Sequence, residues 1–463
     1  MQRVDVAVVG GGPAGTAAAH AAATGGAETI GFEKGVPRAD RAGPGPDSTD
    51  AAGILDYWVD IMGISPAEMP DDVVYRELDR AEFIGPSETV SLRSTGIDAS
   101  YPHFGFTYDR AAFDDWMRER AENVGARYHV GVPVSDVETD LSGEPTHRIE
   151  LGNGEEFETT NLILADGPQR TVTLPVLDQF LDGQSAGDVL DATETNHIAY
   201  QEYRELPEEL FDPESIKFWW GHMPGHTAYP WIFPNDGQVA RIGLTMPIDL
   251  SLEEIENRES YELLRPDDDR VPSGGEYIER LLETVYPEYD LDDFPRVGDR
   301  GKRDGTETYP ISSTRPIESP VAANVAVTGG AMGATSAFHE GGGHVAIRSG
   351  TIAGQLAAAG DLDQYNAEWR RAIGREVRRN VAMADLVRDF GPDDWDRTFR
   401  VANRMLDAGA EGGITILRGS RAGGLTGLKL AAEYQWHKFR YRDRRIAQLR
   451  ESEYAVYTGR QKP

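Results

Sequence analysis

Two groups of residues in this chain have types and spacings suited to chemistry. The first is Gly10-Gly11-Gly12-Pro13-Ala14-Gly15, a G-x-G-x-x-G string followed further on by Glu33-Lys34. In such a string the first glycine permits a tight turn. The second lets backbone N–H groups approach a diphosphate, and the third lets a helix pack closely on a strand. A helix beginning there would add its positive end, and Glu33 could accept hydrogen bonds from an adenosine ribose. The second group is Tyr229-Pro230-Trp231-Ile232-Phe233-Pro234. On a strand the rings of Tyr229, Trp231 and Phe233 share one face. That face could line a dry apolar channel. It could equally be the buried face of an ordinary core strand. Tyr229, His222, His226 and His339 are proton donors by chemical type alone.

The elements that must position these groups are legible in outline. Val4–Val9 is a short β-branched run, as in a buried parallel strand. An alanine-rich helix is expected from the glycine string to about Thr24, then a second strand over Glu28–Phe32 ending in Glu33. Strand, helix, strand and terminal acid together frame a dinucleotide site. A helix is expected over Ala51–Ile61, strands within 73–93, and an amphipathic helix capped by Asp109. Strands are expected over 126–138 and 147–165, the latter turning at Gly152-Asn153-Gly154. Four more fall within 195–247, and 251–293 reads as charged and partly helical. Asp166-Gly167 follows the strand ending at Ala165, and Gly329-Gly330 follows the strand Val325–Val327. Glu340-Gly341-Gly342-Gly343-His344 opens a helix to Ala359. Backbone N–H groups there form a second site for phosphate and ribityl oxygens.

Nucleotide-binding pieces thus lie at both ends of a β-rich insertion. The predicted fold is α/β. A doubly wound, Rossmann-type domain (1–72, 104–170 and 300–360) carries an inserted antiparallel β-sheet substrate domain (73–103 and 171–299). A helical C-terminal region (361–463) follows.

A chain of 463 residues is long enough for two or three structural units. It holds 78 acidic against 46 basic residues, a net charge of −32, with lysine only at 34, 217, 302, 429, 438 and 462. That balance fits a surface adapted to high salt and disfavours nucleic acid as a partner. The absence of cysteine excludes disulfides, thiolate metal sites and redox dithiols, and no metal site is expected. The N-terminus enters the first strand directly and no sustained apolar span occurs, so a cytoplasmic protein is expected. The basic, aromatic stretch 436–445 would give it peripheral contact at the inner membrane face. The competing reading pairs those arginines with the protein's own acids.

Taken together, the string Ile163–Arg170 with its Asp166-Gly167, the helix start Asp109-Arg110-Ala111-Ala112-Phe113-Asp114 and the run His226–Pro234 resemble the geranylgeranyl reductase family of FAD-dependent oxidoreductases. The family signature P-x-x-Y-x-W-x-F-P is met at Tyr229, Trp231, Phe233 and Pro234 but not at its first proline, where His226 stands. The resemblance covers about residues 4–360 and implies a halophilic archaeal member. It further implies FAD held by Gly10, Gly12, Pro13, Ala14, Gly15, Glu33, Lys34, Arg110, Asp166, Gly167, Gly329, Gly330, Gly342 and Gly343. The activity implied is reduction of isolated double bonds in prenyl chains of membrane lipids or quinones. Tyr229, Trp231 and Phe233 would bind substrate, and ferredoxin or a reduced nicotinamide would supply electrons. Two departures stand out. The family's late Gly-Asp is Gly329-Gly330 here, leaving Thr328 or backbone donors to compensate. The cysteine that some relatives place near the flavin is absent, with Asp47, Ser48 and Thr49 in the comparable loop. A flavin monooxygenase or halogenase, or a lipid-binding relative without cofactor, are the alternative readings.

Overall fold

The structure, a computed structural model, describes residues 1–37, 40, 52–190, 196–301, 303–407 and 424–456. Three sheets organise it. The first contains β1 (Gln2–Val9), β2 (Thr29–Glu33), β8 (Arg127–Val130), β9 (Val134–Asp140), β10 (Thr146–Leu151), β11 (Glu156–Leu164) and β17 (Val325–Val327). Its order is β8-β2-β1-β11-β10-β9, with β17 also joined to β11. β1 pairs in parallel with β2 and β11, and β17 extends the parallel set. Val6, Ala7 and Val8 are fully buried, as a strand covered on both faces requires.

Helix α1 (Pro13–Thr24) follows β1, and α7 (Gly343–Ala359) crosses it. The crossing is backbone-close: a Cβ on Gly350 would stand 2.0 Å from the Ala14 carbonyl oxygen, and one on Gly354 2.1 Å from that of Ala18. Only glycine fits at either point. Short helices α4 (Thr173–Asp178) and α5 (Ala186–Val189) follow β11, and α3 (Arg110–Asn123) packs against α1.

The second sheet runs β16-β12-β15-β14-β13-β5-β6. Its strands are β5 (Arg80–Ile84), β6 (Thr89–Leu92), β12 (His197–Glu205), β13 (Ser215–Trp219), β14 (Tyr229–Pro234), β15 (Val239–Pro247) and β16 (Thr306–Ile311). One face packs on α6 (Gly274–Val285) through Tyr277, Ile278, Leu281 and Leu282. The other presents Tyr229, Trp231 and Phe233. The third sheet, β3-β7-β4, joins β3 (Gly53–Leu55), β4 (Val74–Leu78) and β7 (Gly105–Tyr108). The segment 73–103 is therefore shared: β4 pairs with β7, whereas β5 and β6 belong to the second sheet. The C-terminal region supplies α8 (Tyr365–Ala372), α9 (Gly374–Val387), α10 (Pro392–Asp407) and α11 (Gly424–Arg440).

Most predicted elements recur within a few residues, including Asp109, whose Oδ1 accepts from the Ala112 N–H at 2.8 Å. The helix expected over Ala51–Ile61 is a correction. Gly53–Leu55 is a strand, and helix α2 covers Asp56–Met62. Pairing with β7 overrides the local helical pattern, and a Cβ on Gly105 would lie 2.4 Å from the Ile54 carbonyl oxygen. Similarly 126–138 is two strands, broken at Gly131 with φ +78°.

Candidate active site

The carboxyl ends of β1, β11 and β17 bring three loops together. Ala165 N–H donates to the Val9 carbonyl and Thr328 N–H to the Leu164 carbonyl, each at 2.8 Å. The glycines divide their work as the spacing predicts. Gly10 has φ +109°, and its Cβ would meet the Ala165 carbonyl oxygen at 2.2 Å. A Cβ on Gly15 would stand 1.8 Å from the Gly10 carbonyl oxygen. By contrast a Cβ on Gly12 meets nothing within 4 Å, so the loop is open where a diphosphate would approach. Helix α1 starts there with Pro13 in its first turn and no side-chain cap among the described residues. Its first N–H groups are left for a ligand. Gly329, φ +58°, lies against Ala14 and Ala346, which joins the starts of α1 and α7. The α7 start at Gly342 and Gly343 also lacks a side-chain cap among the described residues, and Gly343 faces open space. Two uncapped helix starts, open glycines and a buried His344 Nδ1 without a hydrogen-bond partner among the described residues suit a long anionic cofactor with hydrogen-bonding edges.

Other predicted cofactor residues have more local engagements. Glu33 accepts from the Gly11 N–H at 2.6 Å and the Gly35 N–H at 2.7 Å, so its carboxylate is fixed over the glycine loop. Lys34 is exposed beside it. Arg110 donates from Nε to Asp114 at 2.9 Å, and Phe113 is buried, so the Arg-x-x-Phe-Asp string forms an ion pair and a core contact on one helix. Asp166 accepts from the Val172 and Thr173 N–H groups and from the Thr173 hydroxyl at 2.5 Å, which folds the loop after β11 onto itself. Gly167, φ +82°, faces open space. The departure at Gly330 has a steric correlate: a Cβ there would lie 3.1 Å from Pro168 Cδ. Thr328 does not compensate with its side chain, because its hydroxyl donates to the Leu164 carbonyl. The loop holding Asp47, Ser48 and Thr49 lies outside the described residues.

On the second sheet, Tyr229, Trp231 and Phe233 are almost fully buried in one cluster with Trp220, Trp395 and Phe399. Trp220 stacks on Tyr229 at 4.3 Å and meets Trp395 of α10 at 4.5 Å. Phe338 stacks on Trp220 from the far side at 5.5 Å. Phe233 packs at Gly53, and Trp231 at Gly243, where Cβ atoms would stand 2.8 and 2.6 Å from the rings. The rings thus close on one another in a compact aromatic chamber. Its link to the cradle is direct: the Tyr229 hydroxyl donates to the His339 carbonyl at 2.5 Å, in the loop that leads to α7.

Titration separates the proton-donor candidates. Burial raises Tyr229 well above the phenol range, and its proton is already committed to His339. Burial lowers His226 and His339 to about 4, so both are neutral imidazoles near pH 7. His222 pairs through Nδ1 with Glu262 at 2.8 Å. The residue that spacing did not single out is Glu340. It is fully buried beside His339 at φ +54°, and burial raises its carboxyl. Sequence offered one signal, an acid directly before a glycine run.

Residues 5–75 match the family model described as an FAD binding domain. The chain is 23% identical over 425 residues to digeranylgeranylglycerophospholipid reductase 1 of Methanosphaera stadtmanae, covering 88% of this chain and 90% of that relative. A geranylgeranyl bacteriochlorophyll reductase-like protein from Thermoplasma acidophilum superposes with TM-score 0.65 at 22% identity, covering 95% of this chain and 98% of that one. The fold is that of geranylgeranyl reductase-like proteins, and FAD is the cofactor of its nucleotide-binding domain. A flavin-dependent brominase shares that fold with TM-score 0.60 at 16% identity, covering 95% and 99%. Geranylgeranyl reductase-like and halogenating flavoproteins therefore share this scaffold, and the fold by itself does not choose between their chemistries.

Proposed function

We propose that this protein is an FAD-dependent reductase of isolated double bonds in the geranylgeranyl chains of membrane lipids. The observation that carries the reading is the Tyr229–His339 bond, which fastens a buried aromatic chamber to the loop leading into the second uncapped helix start. The named reductase relatives, matched over most of both chains, support it. FAD would be held by Gly10, Gly12, Pro13, Ala14 and Gly15 at α1, by Glu33 and Lys34 on the adenosine side, and by Gly329, Gly330, Gly342 and Gly343 at α7. Arg110, Asp166 and Gly167 shape the neighbouring loops. Bound and reduced, FAD supplies hydride.

The chain's residues do the rest. An unactivated alkene has no carbonyl to accept electron density, so its reduction needs a proton at one carbon and cation stabilisation at the other. Tyr229 and Trp231 present ring faces for that cation, and the chamber excludes water. Because the rings pack together, a prenyl chain must part them, and Trp395 and Phe399 on α10 are the wall nearest the C-terminal region. Ferredoxin, another low-potential carrier or a reduced nicotinamide would recharge the cofactor.

Substrate delivery has a structural counterpart. No helix among the described residues is long and apolar enough to cross a membrane. On α11, Trp436 and Phe439 are 62% and 50% exposed and stack at 6.2 Å, with the Arg442 guanidinium 3.8 Å over the Phe439 ring. Lys438 is lowered by partial burial and by Arg378, Arg375 and Arg379 of α9, which marks a concentration of positive charge. Exposed rings among cations suit an anionic lipid surface. Part of the stretch does pair internally: His437 and Arg440 approach Asp385 at 3.4 and 3.9 Å. The surplus of acids, 78 against 46, suits a high-salt interior, and halophily is part of the reading.

The test is purification in high salt, an absorbance spectrum, photoreduction, and mass analysis of digeranylgeranyl lipid. A yellow protein that adds two mass units per reduced bond supports the reading. Oxygen-dependent consumption of reduced nicotinamide without lipid saturation would replace it with a monooxygenase or halogenase.

A further inference from the structure

Glu340 sits at the seam between the two halves. Its Oε1 accepts from the Thr227 hydroxyl at 2.9 Å and lies 3.9 Å from His197 Nε2, while Oε2 has no hydrogen-bond partner among the described residues. Thr227 lies two residues before Tyr229, the first residue of β14, and Glu340 follows His339, whose carbonyl accepts from the Tyr229 hydroxyl. A buried ionised carboxylate with one oxygen unpartnered would carry a large desolvation cost; a neutral carboxylic acid does not, and it retains a proton to give. Both Thr227 (φ +54°) and Glu340 (φ +54°) adopt left-handed backbone, which non-glycine residues hold only where the surroundings enforce it. The surroundings here enforce the contact between these two side chains.

The groups facing Glu340 come from several elements. His197 of β12 accepts or exchanges hydrogen bonds with Asn196 at 2.8 Å through Nδ1 and approaches the His226 carbonyl at 2.8 Å through Nε2. With Asn196 Nδ2 donating to Nδ1, the Nε2–H points to the His226 carbonyl. Burial raises the Glu340 carboxyl and outweighs His197, Ser313 and Thr227, each of which favours the charged form. Tyr229 is close enough to Glu340 that an ionised carboxylate there would raise the phenol further. Near pH 7 His226 and His339 are neutral and the Tyr229 hydroxyl is bonded to the His339 carbonyl, whereas Glu340 presents a carboxyl with one oxygen unpartnered among the described residues.

We infer that Glu340 is the acid that protonates the alkene in the reductase reaction, an inference that rests on the function proposed above. In that step the Glu340 O–H bond and the alkene π bond break, and a C–H bond forms at one olefinic carbon. The hydride supplied by the reduced cofactor forms the second C–H bond. Glu340 is left as a carboxylate and takes its next proton from solvent, and the cofactor is recharged by two electrons from a low-potential donor and one further proton from solvent.

The experiment compares wild type, Glu340→Gln and Thr227→Val, each with its FAD. Infrared difference spectra at neutral pH are expected to show a protonated-carboxyl stretch in wild type that disappears in E340Q and shifts in T227V. E340Q is expected to keep its flavin content and its rate of reduction by dithionite, yet to lose about 100-fold or more of single-turnover lipid saturation. T227V, which keeps the acid, should lose less and serves where E340Q does not fold. A wild-type protein without that stretch, or E340Q saturating lipid within a few-fold of wild type, overturns the inference alone. A reduced wild-type protein that leaves every prenyl lipid unchanged overturns the underlying reading as well.

Discussion

The cradle at the ends of β1, β11 and β17 and the aromatic chamber on β14 are built in opposite ways. The cradle is backbone: its shape follows from what Gly10, Gly15, Gly329 and Gly350 lack, at contacts among the loops after β1, β11 and β17 and the helices α1 and α7. The chamber is side chain: Trp220, Tyr229, Phe338 and Trp395 come from four separate segments and meet only after the sheet, the α7 loop and α10 have packed. A binding site for a fixed, extended cofactor can be specified by local geometry. A site for a flexible apolar chain is specified by volume and by what excludes water.

The largest effect should come from the backbone side. Gly15→Val places atoms where a Cβ already stands 1.8 Å from the Gly10 carbonyl oxygen. It should cost about 3 kcal/mol or more and abolish flavin retention. Thermal unfolding and the flavin absorbance check this, and a yellow, stable variant would show that the cradle is not glycine-limited.

On the chamber side, Trp231→Ala should leave flavin bound while turnover falls roughly 5–30-fold, the equivalent of 1–2 kcal/mol of lost cation stabilisation. The cavity should also lower stability, by about 3–5 kcal/mol. Simultaneous loss of flavin would mean that the ring supports the cradle and that the two regions are not separable.

Acid should act on both regions through neutral histidines. His147 on β10 and His226 and His339 at the chamber are each lowered to about 4 by burial. Their folded values lie below the unfolded 6.5, so the unfolded chain binds protons first as pH falls. Stability is full above about pH 6.5 and declines between 6.5 and 4, by roughly 3 kcal/mol per histidine. His147→Asn, in the nucleotide-binding sheet, should flatten part of that decline without changing lipid turnover. An unfolding midpoint that is constant across this window would contradict the burial of all three.

The smallest effect concerns neither region directly. Replacing Arg440 and Arg442 by Gln should weaken flotation with anionic vesicles by about 1 kcal/mol per charge at low salt and less at high salt. Unchanged flotation at matched salt would assign these arginines to Asp385 and the protein's own surface.

What the amino-acid order determined by itself was whatever depends on near neighbours. G-x-G-x-x-G between strand and helix, the Asp109 cap and the Gly152–Gly154 turn all follow from backbone conformations that few residues can adopt. The alternation at Tyr229, Trp231 and Phe233 likewise fixed which side chains share a face. The tertiary structure decided which face that was, because the period of a strand is the same whether it lines a core or a chamber. It also decided that Gly53–Leu55 is a strand, since its partner β7 is distant in sequence, and that Asp166 and Arg110 spend their charge on neighbours in their own loop and helix. Glu340 shows the limit most plainly. Beside a glycine run it reads as a loop acid in water, and only the closing of Thr227, His197 and His339 around it removes the water and raises its carboxyl.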